Sequence, residues 1–120
     1  MKEADVRKLI KNAGQISQTI TNNIDTLNGD DLSKLSVRLS GYYNSICGFH
    51  ESIKSNYIER WNKIRPLKKS DKACDMWLME NCPSAKLYDG LKYTLKGLDK
   101  LLKSIDTRLY ELHTQARNQT

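Results

Sequence analysis

Proline is nearly absent from this chain: there are two in 120 residues, with six glycines and a single phenylalanine. So few chain breakers exclude a β-sandwich built on tight turns, and they exclude low-complexity disorder. Long apolar runs are missing too. The longest, such as MWLM at 76–79, is far too short to span a bilayer. The opening MKEADVRKLI mixes acids and bases without an apolar h-region, so neither secretion nor membrane insertion is expected. Three cysteines (Cys47, Cys74 and Cys82) form an odd set whose spacing fits no zinc or redox motif. They read as reduced, mostly buried thiols of a cytoplasmic protein. Asn118-Gln119-Thr120 matches a glycosylation sequon, which has no use without a secretory signal.

Catalytic motifs are equally scarce. The chain holds no Gly-rich phosphate loop, no HExxH and no GxSxG. Its two histidines, His50 and His113, are far apart and lack a companion His or Cys at metal-ligand spacing. Glu51 adjoins His50, but neighbouring residues on a helix point in different directions. No enzyme, metal or cofactor is expected.

What the chain does have is helical periodicity over one domain, residues 1–120, with 38% hydrophobic and 28% charged residues. Val6, Ile10, Ala13, Ile16, Ile20, Ile24 and Leu27 recur at steps of three and four and share one face. This predicts a first helix over 2–27, stopped by Asn28-Gly29 in the left-handed conformation. Asp30 or Asp31 then caps a second helix over 31–65, whose apolar positions run from Leu32 to Ile64 before Pro66 ends it. At 1.5 Å per residue that helix is about 50 Å long and needs a partner along its length. A short helix over 70–80 sits in the connector. The last helix, 84–117, has the cleanest signal, with Tyr88, Leu91, Leu95, Leu98, Leu102, Ile105, Leu109, Leu112 and Ala116 in unbroken heptad steps.

The expected fold is therefore all-α. It is an antiparallel bundle of three long helices with a short capping helix in the connector and coiled-coil-like packing. Because the first helix is the shortest, part of the long seam projects beyond it, and a second chain is expected to cover that part. A homo-oligomer follows, with a dimer as the commonest closed form.

Charge carries the functional signal. The formal net charge is +6, and it is unevenly spread. Residues 1–31 hold four cations and five anions, whereas 32–72 hold nine and three, seven of those cations between Lys54 and Lys72. Arg60, Lys63, Arg65, Lys68, Lys69 and Lys72 form a basic corner, of which helix ending explains half. Opposite the seam of the last helix, Tyr93, Lys96, Lys100, Lys103 and Tyr110 make a stripe of lysines bracketed by tyrosines. Such interleaving neutralises phosphates and stacks bases in non-specific nucleic-acid binders, although lysines also serve simply to keep a bundle soluble. Gly41 and Gly48 are seven residues apart on the second helix, as are Gly90 and Gly97 on the last. Each costs about 0.5–1 kcal/mol against alanine, which points to something approaching the backbone closely, a helix before a ligand.

The expected function is a non-enzymatic helical binding module that oligomerises and contacts a nucleic acid or other polyanion without sequence specificity. One alternative is an adaptor or inhibitor, an accessory protein docking an acidic partner through the seam from Leu91 to Leu112. The other is a sponge for small anionic nucleotides at an oligomer interface.

Overall fold

A computed structural model describes residues 2–118, and all the regular structure among them is helical. The elements are α1 (Glu3–Asn23), α2 (Gly29–Ile64), a 3-10 turn (Arg65–Leu67), α3 (Asp71–Asn81) and α4 (Pro83–Asn118). Gln119 and Thr120 of the sequon lie outside the described residues.

The helix ends follow from local chemistry. Asn28 caps α2, its Oδ1 accepting the Asp31 amide at 2.8 Å, and Asp30 and Asp31 occupy the first turn, where the helix dipole favours acids. Ser70 caps α3 by accepting the Ala73 amide at 3.1 Å. Pro83 opens α4 at the position where a missing N–H costs nothing. The α1–α2 connection departs from expectation. No described glycine has positive φ, and Gly29 is the first residue of α2 rather than a left-handed stop. The first helix ends four residues early, at Asn23, whose carbonyl accepts the Thr26 and Leu27 amides and the Thr26 hydroxyl in the turn that follows.

Four helices pack against one another around two apolar clusters. The larger is built on steps of seven: Val6, Ala13 and Ile20 from α1; Leu32, Leu39 and Ile46 from α2; Leu91, Leu98 and Ile105 from α4, with Ile16 beside them. The smaller gathers Cys74, Leu78, Cys82 and Ala85, with Tyr57, Trp61, Ile64, Trp77 and Met79 packed around it. No charged side chain is buried among the described residues. The first cluster draws on α1 and the second on α3, while α2 and α4 contribute to both. The helix α3 lies against the last turns of α2 and the start of α4, and the start of α4 is bordered by Glu3 and Arg7 of α1 as well. At the other end of α4, Leu109, Leu112 and Ala116 border an open pocket of about 750 Å³ with Asn28, Gly29 and Ser33. The molecule measures 67 × 28 × 21 Å.

Candidate anion-binding surface and its neighbours

The basic corner forms where α2 gives way to α3, and the turn there is held by its own cations. Arg65 donates from Nε to Asp71 Oδ1 and from Nη1 to the Lys68 carbonyl at 3.0 Å, which fastens the 3-10 turn to the start of α3. Lys68 places its ammonium 5.2 Å from the Trp77 ring centroid, within cation–π range. Trp61 donates from Nε1 to Asp75 at 2.7 Å and ties α2 to α3. Arg60 is held from two sides, by Asn56 Oδ1 at 3.3 Å and Cys82 Sγ at 3.1 Å. Lys63 pairs with Glu59 at 3.4 Å on the exposed side of α2. Lys69 and Lys72 stand exposed. Arg60, Lys63 and Arg65 are thus engaged within the chain and Lys68 lies half-buried against Trp77, which leaves Lys69 and Lys72 as the corner's fully exposed charge.

Between α2 and α3 a pocket of about 260 Å³ opens beside this corner. Its polar groups are Arg60, Lys63 and Asn81, and its apolar wall includes Trp77, Ile64 and Leu78.

The stripe on α4 is exposed as expected, with Tyr93 at 69% and Tyr110 at 73%. Its positive field is diluted, however. Lys103 pairs with Asp99 at 3.0 Å, and Asp106 and Glu111 lie on the same outward half of the helix at 100° per residue. Lys96 and Lys100 are exposed. The stripe and the corner do not merge into one patch. Tyr93 stands ten residues into α4, roughly 15 Å from Pro83, and the stripe runs on from there away from the α2–α3 turn.

The α4 seam is occupied within the chain. Leu91, Leu98 and Ile105 are buried in the larger cluster, and Leu95, Leu102, Leu109 and Leu112 are half-buried against it. Gly41, Gly48, Gly90 and Gly97 are all exposed, and a Cβ added at any of them would meet nothing within 4 Å. No helix of the same chain approaches their backbones. Gly90 borders a groove of about 400 Å³ against Glu3, Arg7 and Ile10 of α1.

Two groupings escaped sequence reasoning. The first is the environment of Cys82, which directly precedes α4. Burial pushes its thiol up, but the Ser84 hydroxyl at 3.1 Å, the Ala85 amide and the Arg60 guanidinium outweigh burial and leave it below the ordinary thiol value. Cys74, fully buried, is pushed up by burial and then by Asp75. Iodoacetamide is therefore expected to alkylate Cys82 faster than Cys74 at neutral pH, followed by mass spectrometry over time. Arg60→Met should slow Cys82 by up to about tenfold for each unit its pKa rises. Equal rates in the parent chain would contradict this account. A Cys-Pro pair at a helix start was the only sequence signal, and Arg60 lies 22 residues away from it.

The second grouping is a stack of three rings between α2 and α4. His50 lies on Tyr88 with centroids 4.5 Å apart and planes 8° from parallel, and Tyr57 lies on Tyr88 at 4.6 Å and 15°. The Lys92 ammonium sits 4.7 Å from the Tyr88 centroid. The seven-residue step from His50 to Tyr57 was visible, but the ring they share was not.

Among the described residues no group of His, Cys, Asp and Glu is placed to hold a metal ion, and no helix is long and apolar enough to cross a membrane. Comparison with protein-family models, with curated proteins and with solved structures finds no match to this chain.

Proposed function

We propose that this is a non-enzymatic helical binding module that holds a nucleic acid or other polyanion without sequence specificity, acting as a homo-oligomer in the cytoplasm. The carrying observation is the basic corner. A turn fixed by Arg65 presents Lys68, Lys69 and Lys72 together, beside an Arg60 already held in place by Asn56 and Cys82. Lysines on a pre-set turn neutralise phosphates with little further ordering, and nothing in their arrangement reads base edges. Behind this lies an antiparallel arrangement of α1, α2 and α4. It is supported by two contacts at opposite ends: Arg60 with Cys82, and Arg108 Nη2 with the Asp25 carbonyl at 3.3 Å.

The test is a salt series on labelled single- and double-stranded oligonucleotides, with particle mass from light scattering on the same sample. Binding should be tight at low salt and fall steeply as salt rises. With Lys68, Lys69 and Lys72 all changed to Gln, the slope of log K against log salt should shrink by about 2–3, at roughly 0.7–0.9 per lost phosphate contact. Absence of binding at low salt would retire the proposal.

The α2–α3 pocket favours a second reading, a receptor for a small anionic nucleotide. Arg60 and Lys63 would meet its phosphate, and Trp77 would meet its base. Thermal stabilisation by a mononucleotide but not by duplex DNA would select this reading over the first.

A further inference from the structure

The ring stack lies where the two apolar clusters meet. His50 follows Ile46, the last buried α2 residue of the larger cluster, by one helical turn, and Tyr57 packs against the smaller cluster. Tyr88, 6% exposed, stands on α4 between Ala85 of the smaller cluster and Leu91 of the larger. The stack therefore joins the half of the molecule containing α1 to the half containing α3.

One member of this joint can change charge near neutral pH. The Nε2 atom of His50 is sealed from solvent and has no hydrogen-bond partner. A second proton on the ring would leave a charged Nε2 N–H sealed from solvent with no acceptor. The charged neighbours are mainly of the wrong sign. Lys92 from α4 and Lys54 from α2 both oppose protonation, and only Glu51 on α2 favours it. The groups facing Tyr57 are Asp75 and Cys74 of α3 and Tyr88 and Asp89 of α4, which act on the phenol rather than on the imidazole.

We infer that the His50–Tyr88–Tyr57 stack is an acid-sensitive joint, closed while His50 is neutral and loosened when it is protonated, which weakens the packing of α2 on the start of α4 and releases α3 with it. Burial first, then the two lysines, hold the His50 pKa below its ordinary 6.5 in spite of Glu51. The unfolded or opened chain thus takes up a proton at higher pH than the closed one. The stability contributed by neutral His50 is complete above pH 6.5, is lost as pH falls toward the folded-state pKa, and levels off below it.

The experiment follows His50 by NMR titration in the full chain. Alongside it, amide exchange is measured from pH 7.5 to 5.5 with intrinsic rates corrected for pH. His50 should titrate below its ordinary value of 6.5. Opening of residues 71–88 should rise by up to about tenfold per pH unit below 6.5, as one proton requires, with residues 6–20 less affected. The variant His50→Phe keeps a stacked ring without the charge and should lose this acid slope. A His50 that titrates at or above 6.5 would overturn the inference, whether or not the variant folds. So would an unchanged acid slope in the variant, or acid opening spread evenly over the chain.

Discussion

Leu39→Ala is expected to cost about 2–5 kcal/mol of folding stability, read as a lower urea midpoint at unchanged slope. Leu39 is fully buried in the middle of its heptad row on α2, with Leu32 one step before it and Ile46 one step after. Truncation removes apolar surface from water-free packing and leaves a cavity that three helices cannot easily collapse around. A domain of this size has roughly 5–15 kcal/mol in total, so the variant stands near the edge of folding at 37 °C. Val37, two residues away but 72% exposed, is the matched control, and Val37→Ala should change stability by no more than about 0.5 kcal/mol. Similar effects at the two positions would mean that the α2 face assigned to the core is wrong.

Leu78→Ala should show a comparable local loss of about 2–5 kcal/mol with a different footprint. Leu78 is 1% exposed and sits in the smaller cluster, which holds α3 against α2 and α4. With 11 residues, α3 is too short to persist without tertiary packing, so losing its anchor releases the whole helix. Amide exchange should report lost protection across residues 71–81 while residues 13–20 and 98–105 keep theirs. In Leu39→Ala, by contrast, protection should fall throughout. Should Leu78→Ala lower protection everywhere alike, the two clusters would be one cooperative unit, and the division between them would have no energetic meaning.

The helical class could be read from periodicity alone, and the reason is visible in the core. The buried rows Val6–Ala13–Ile20, Leu32–Leu39–Ile46 and Leu91–Leu98–Ile105 are the same steps of three and four that the sequence displays. Periodicity identifies the inward face of a helix but not what lies against it. The α4 seam therefore looked available to a second chain, whereas α1 and α2 of the same chain occupy it along the larger cluster. The glycine pairs illustrate the same point: their spacing marks a shared face, and within the chain that face points to open space. Turn chemistry was the other blind spot. Asn28 serves α2 as a cap although its pairing with Gly29 reads as a stop for α1, and the two roles differ only in backbone conformation. The basic corner was legible as charge. Which cations hold the turn and which face outward was not, because it depends on the fold of the turn that brings Asp71 to Arg65 and on Cys82 reaching Arg60 from 22 residues away.

The 67 Å long axis carries a practical consequence for anyone weighing this protein. Its radius of gyration is 18.9 Å, against about 14 Å for a rounded globule of the same length. A single 13.8 kDa chain of this shape drags through a gel-filtration column like a considerably heavier sphere. An elution volume calibrated on globular standards would therefore overstate the mass of the particle.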